Sequence, residues 1–441
     1  MATAGVRTVE RPSGPTGLGL AEAAAALAAR KLSSEELVSD CLARIARRDP
    51  ELRAWAFVDP DLALAQARAC DASKAPLGPL HGLPVGVKDV LDTCDMPTEY
   101  GSGIYRGHRP ARDSACVEAL RAAGAVILGK TRTTEFASPV PVGVRNPLDF
   151  ARSPGVSSSG SAAVVADFMV PLANGTQTGG SVILPASFCG IVGFKASVDG
   201  LDRTGIAGLK PSLDTLGLFV RSVGDLALAQ AALAAPGYSA GGTVGGMDGR
   251  PRIGLCRTPY WGEAEPCARA AVERSADALA AEGYEVVEAE LPPECVGLER
   301  AFRVISNFEG KRAMADDFRD HINRMNPWMR ETGESAWSEA EYGEAMGVAA
   351  RARAALGDLW GRVPVLLTPS TAGEAPTDLV GISVSTFNRL WTLMHGPTIT
   401  LPVGTGPGGM PVGIQLAAAP GTDARLIAWA APIHDIVRNV H

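Results

Sequence analysis

Apolar positions recur with helical spacing at about 20–30, 34–48 and 60–72, which predicts three helices near the start of the chain. Ser33, Ser34, Glu35 and Glu36 supply the hydroxyls and carboxylates that cap the second of them. From Leu80 the pattern changes. Short apolar runs at 83–87 and 125–128 alternate with a helical stretch at 113–123, and a helix is predicted at 161–170. A strand start at 251–256, a helix at 265–282 and a strand at 284–289 follow. Runs too short for helices, alternating with helical periodicity, predict an α/β fold whose sheet is buried on both faces.

The first 18 residues, rich in Gly, Pro and Thr, read as a loose N-terminal arm, and 19–441 as one domain. A glycine-rich loop at 237–249 is too short and too neutral to divide it. Between 299 and 361 lies a mostly helical stretch carrying Trp328, Trp337, Tyr342 and Trp360, a large share for a chain that is only 5% aromatic. Taken singly, each is expected to pack its helix onto the body; together they are placed to roof a pocket.

Composition narrows the function. The chain has 441 residues, of which 46% are hydrophobic and 20% charged, enough for a large core. Its 50 glycines and 32 prolines exceed the usual combined share of about 12%, so loops carry much of the interest. A net charge of −7 without a basic block argues against nucleic acid as a partner. No run reaches the roughly 20 apolar residues a membrane span needs, and Arg7, Glu10, Arg11, Pro12 and Pro15 interrupt any secretory pattern. The expectation is a cytoplasmic protein that engages no membrane. The eight cysteines contain no CxxC pair, and the six histidines no HExxH, so no metal and no cofactor is expected.

Three segments carry chemistry: His81 to Asp89, Pro154 to Ser161, and Gly175 to Ser181. Lys88 ends the apolar run 83–87, which puts its ammonium at the edge of the core, where burial favours the neutral amine. An ordinary lysine has a pKa of about 10.4, so deprotonating it at neutral pH costs roughly 4 to 5 kcal/mol, and a basic lysine needs burial and hydroxyl partners. Ser157, Ser158, Ser159 and Ser161 supply such hydroxyls at a turn into a helix. In Thr178-Gly179-Gly180-Ser181 two glycines strip side chains from the backbone ahead of a serine, leaving amide N–H groups to converge on a developing oxyanion. Each segment alone has a bland reading: a lysine snorkelling from a strand end, a flexible linker, a glycine turn.

Their combination resembles the amidase signature family, most closely from Gly78 to Ser197. Residues 155–195 follow its GGSSGGSAAVA and GT(D/Q)TGGS pattern without gaps, and Ser157 and Ser181 stand 24 residues apart as the pattern requires. Leu80-His81-Gly82-Leu83-Pro84, Leu213-Asp214-Thr215 and Pro411-Val412-Gly413-Ile414-Gln415 are further matches. The resemblance implies a central mixed β-sheet covered by helices on both faces and a Ser-cisSer-Lys triad. In that triad Ser181 is the nucleophile, Ser157 the bridging hydroxyl and Lys88 the base. It further implies an oxyanion hole from Thr178, Gly179, Gly180 and Ser181, a supporting Ser158, and a cis peptide between Val156 and Ser157. The oligomeric state is left open, relatives often being homodimers.

Val156, Ser159 and Gln177 depart from the commonest pattern, and Ile183 and Leu184 stand where many relatives carry an arginine able to bind a carboxylate. Leu184 is therefore expected to line a pocket for a neutral, fairly apolar amide or carbamate, cleaved through an acyl-enzyme on Ser181. Two rival readings remain: the glutaminase subunit of a tRNA-dependent amidotransferase, and a non-catalytic binding protein on an amidase scaffold. Asp89, His81, His395 and Cys189 are expected to be structural.

Overall fold

Residues 84–87 and 125–128 are apolar at every position, so they cannot lie half in water and must be covered on both faces; the run at 284–289, with Glu285 and Glu288, makes no such demand and is half exposed. The computed structural model, which describes residues 7–234, 249–377, 385–438 and 440, fulfils this. Eleven strands form one mixed sheet: β1 (Trp55–Val58), β2 (Pro84–Lys88), β3 (Val126–Thr131), β4 (Leu172–Gln177), β5 (Val192–Lys195), β6 (Thr215–Val220), β7 (Ile253–Leu255), β8 (Val286–Glu288), β9 (Val365–Pro369), β10 (Thr398–Thr405) and β11 (Pro411–Ala418). Their order is β1-β3-β2-β4-β6-β5-β10-β11-β9-β7-β8. Strands β2, β3, β4, β6, β9 and β11 are buried along their whole length. Among the described residues fourteen α-helices surround this single domain.

The three early helices form over Leu20–Ala28, Ser34–Leu52 and Pro60–Asp71. Ser33 and Glu36 exchange hydrogen bonds as a capping box, the Ser33 hydroxyl accepting from Glu36 N–H at 3.1 Å and the Glu36 carboxylate from Ser33 N–H at 2.8 Å. The helix predicted over 161–170 is shorter, Ser159–Ala166, because Phe168 turns the chain at φ +57° and Leu172 must extend to pair with Val85. The sequence pattern does not announce strand β1; four residues at a sheet edge carry too little periodicity. The arm also departs from expectation. Its described part, from Arg7 onward, is tied down: Thr16 is buried and donates its N–H to Asp40 at 2.8 Å, and Arg7 pairs with Asp149 at 2.6 Å. The glycine-rich loop lies outside the described residues except for Gly249.

Strands β2 and β4 are parallel neighbours, with Gly86 opposite Ala173. Their carboxyl ends, Lys88 on one and Thr176 and Gln177 on the other, therefore emerge at the same edge, the place where α/β sheets gather ligands. At that edge helices Glu299–Ala313 and Pro327–Glu334 supply cavity residues such as Phe302 and Trp328, while helices Ala315–His321 and Glu339–Arg362 pack against Glu299–Ala313.

Candidate active site

Lys88 is fully buried, and its Nζ donates to three hydroxyl oxygens: Ser157 Oγ at 2.9 Å, Ser158 Oγ at 2.9 Å and Thr176 Oγ1 at 2.8 Å. No carboxylate pairs with it among the described residues. Burial brings its pKa down to about 7; Asp214 works against the shift and Lys210 adds to it. The next residue points the other way, as alternation along a strand demands: Asp89 lies 3.5 Å from Lys130 Nζ and accepts from Glu99 N–H at 3.2 Å. Thr176 lies inside the quoted pattern, but nothing in the sequence assigns its hydroxyl a role. Only the register of β4 on β2 shows that its hydroxyl meets the lysine.

The serine loop departs from the family expectation in its backbone. There is no cis peptide among the described residues, so Val156–Ser157 is trans, the form favoured by about 3 to 4 kcal/mol for a non-proline bond. Gly155, two residues before Ser157, stands at φ +108°, where a Cβ would be 2.6 Å from Pro185. Ser158 donates to the Thr176 carbonyl at 3.1 Å, so its proton is committed. Among the described residues Ser157 has Lys88 as its one side-chain partner, which leaves its proton free to move. It follows Val156, a residue of the cavity wall.

The glycine turn leads from β4 into helix Ile183–Cys189. Gln177, seen in the sequence only as a departure, holds that turn: its Oε1 accepts from Val182 N–H at 3.0 Å and Ile183 N–H at 3.1 Å, and its Nε2 donates to Thr392 at 3.3 Å. The Thr178 hydroxyl is hydrogen-bonded to Asp214, whose carboxylate also accepts from Lys210 N–H at 2.8 Å. The N–H groups of Gly179, Gly180 and Ser181 have no protein acceptor among the described residues. A Cβ on Gly180 would meet Ser385 at 3.1 Å, so glycine lets the turn approach that segment. Ser181 is partly exposed and faces a cavity bounded by Val156, Phe136, Phe302, Met314 and Trp328. Ser157 and Ser181 are not hydrogen-bonded to each other; the Ser157 hydroxyl is turned to Lys88.

Leu184 is placed elsewhere than expected. It is fully buried in a cluster with Val156, Phe188, Ala375 and Met410 and does not line the cavity, because helix Ile183–Cys189 carries it behind the turn into the core. Its side chain therefore does not select for a neutral substrate. Trp360 and Tyr342 pack the helices, Tyr342 stacking on Phe308 at 4.4 Å, whereas Trp328 is 46% exposed and stands at the cavity. His395 bonds Ser212 O at 2.9 Å, and burial with Arg353 nearby lowers its pKa to about 4. His81 Nδ1 accepts from Leu77 N–H at 3.2 Å. Cys189 is buried, its thiol pKa raised by desolvation. None of these three lines the cavity. Among the described residues no cluster of His, Cys, Asp or Glu suited to a metal occurs, and no helix is long and apolar enough to cross a membrane.

The Amidase family model matches residues 36–427. A glutamyl-tRNA(Gln) amidotransferase chain of Salinispora arenicola is 33% identical over 484 residues, covering 96% of this chain and 98% of that protein. Among solved structures, the peptide amidase from Stenotrophomonas maltophilia superposes with a TM-score of 0.83 at 29% identity, over 96% of this chain and 97% of its own. A chain from a vestigial complex that reveals the origins of an s-triazine catabolic enzyme gives a TM-score of 0.85 at 28% identity, over 96% and 100%. Sequence match, fold and hydroxyl-caged lysine agree: the chain belongs to the amidase signature family.

Proposed function

We propose that the protein is a serine amidohydrolase that opens the C–N bond of an amide through an acyl-enzyme on Ser181. The observation that carries this is Lys88, fully buried, its Nζ bonded among the described residues only to hydroxyls and its pKa brought to about 7. At pH 7 about half of such lysines are neutral, against roughly one in 3,000 at the ordinary value. The neutral amine has a lone pair that draws the Ser157 proton as Ser157 draws that of Ser181. Ser181 Oγ then bonds the carbonyl carbon. The oxyanion settles on the free N–H groups of the 178–181 turn, the proton returns to the leaving nitrogen as the C–N bond breaks, and water reverses the sequence. Ser157 closes on Ser181 by a side-chain rotation when substrate fills the cavity, as catalytic hydrogen bonds commonly tighten on binding.

Two substrate readings follow. The apolar part of the wall, Phe136, Phe302, Met314 and Trp328, supports a small neutral amide or carbamate. The curated relatives favour glutamine as the amide donor, with ammonia passed to a partner chain: several glutamyl-tRNA(Gln) amidotransferase chains are 32 to 33% identical over 93 to 96% of this one. With Leu184 out of the cavity, the second reading stands ahead. All eight cysteines are free thiols and six are buried, which supports a reducing, cytoplasmic setting. Ammonia release from glutamine, benzamide and ethyl carbamate, with Ser181→Ala as control, tests both. Release from glutamine alone selects the amidotransferase reading and release from the others the small-amide reading. Failure on all three, with Ser181 inert to a fluorophosphonate, points instead to a binding protein.

A further inference from the structure

The charges on the cavity wall are all of one sign. Among the described lining residues the ionisable side chains other than Ser and Thr are Lys210 and Arg389, with no Asp or Glu. Neither cation has a carboxylate partner among the described residues. Lys210 donates its backbone N–H to Asp214, but its Nζ makes no hydrogen bond or ion pair among the described residues. Arg389, in the first turn of helix Thr386–Leu393, has its Nε buried without a hydrogen-bond partner, and its guanidinium lies 5.5 Å from the Phe302 ring centroid. Glu263 and Glu299 line a neighbouring cavity with Arg389 and attract it, yet neither reaches ion-pair distance. Burial, and after it the nearby Arg303, pushes the Arg389 pKa down. A guanidinium held this way, without a counter-ion, is costly unless an anion arrives.

We propose that Lys210 and Arg389 form an anion subsite beside Ser181, so that the enzyme takes amides bearing a carboxylate, such as the monoamide of a dicarboxylic acid. The carboxylate fork that positions 183 and 184 lack is thus supplied from two distant parts of the chain, the loop before β6 and the helix before β10. Arg389 offers the planar fork that matches a carboxylate, and Lys210 adds a point charge. Phe136, Phe302 and Met314 give the same wall an apolar surface for the methylenes that join carboxylate and amide in such a substrate. This rests on the amidohydrolase reading and narrows its substrate class.

The test compares kcat/KM for glutaramate and pentanamide, which are similar in length and differ by one carboxylate. The proposal expects glutaramate to be preferred by about tenfold or more, the range for hydrogen bonds to a charged group. It also expects that ratio to collapse in Arg389→Met and in Lys210→Met, through KM more than kcat, and to recover in Lys210→Arg. Two separate variants guard against one that fails to fold, and circular dichroism identifies such a case. Equal use of both amides, or a ratio unmoved by either folded variant, overturns the subsite while leaving the amidohydrolase standing. No turnover of either amide, together with an inert Ser181, overturns both.

Discussion

Lys88 Nζ and Thr176 Oγ1 lie 2.8 Å apart, joining the carboxyl ends of two neighbouring parallel strands. An accepting hydroxyl favours the ammonium, so Thr176→Val lowers the Lys88 pKa further and leaves the amine less firmly aimed. The expected outcome is a kcat about tenfold lower, with the acid limb of the kcat/KM profile displaced below pH 7. A variant of unchanged profile would deny Thr176 any part in holding the base.

Lys88 and Lys195 are both fully buried with pKa values near 7, Lys195 donating to the Ala196 and Gly396 carbonyls at 2.8 and 2.6 Å. Between pH 7 and about 8.5 the unfolded chain carries these protons and the folded chain has released them, so stability rises with pH. Urea midpoints measured across that window should increase, and the increase should shrink in Lys195→Met. A flat or falling midpoint in the parent protein would contradict the sign.

Gly155 sits at φ +108° against Pro185. Gly155→Ala places a Cβ within 2.6 Å of that residue and in a backbone region alanine resists, for an expected loss of about 1 to 3 kcal/mol and a displaced Ser157. Denaturant titration and the rate on a good substrate should fall together. Full activity would show that the loop tolerates the side chain.

Asp167, just past the serine helix, is wholly buried between Arg44 and Arg48, each 2.8 Å away. Asp167→Ala leaves two cations facing each other and should cost about 3 to 5 kcal/mol, seen as a lower melting temperature. A loss below about 1 kcal/mol would mean that water replaces the carboxylate.

The fold class and the three chemical segments are legible in the sequence because their information is local: periodicity for the helices, apolar runs for β2 and β3, and glycine, serine and lysine at fixed spacing. What is illegible depends on register or direction. Thr176 is one hydroxyl in a strand until β4 is laid beside β2. Leu184 reads as a pocket residue because it is three residues from Ser181, but the helix that starts between them turns it into the core. Lys210 and Arg389 are 179 positions apart, and nothing in either neighbourhood announces the other.

If neutral Lys88 activates Ser181, labelling of Ser181 must follow the lysine's titration. The rate at which a fluorophosphonate modifies the protein, with the adduct located by mass spectrometry, should rise through a midpoint near pH 7. It should fall by about a hundredfold or more in Lys88→Met, with the adduct on Ser181 throughout. A rate independent of pH between 5 and 9 and unaffected by Lys88→Met, or an adduct on another residue, would mean that Lys88 does not activate Ser181.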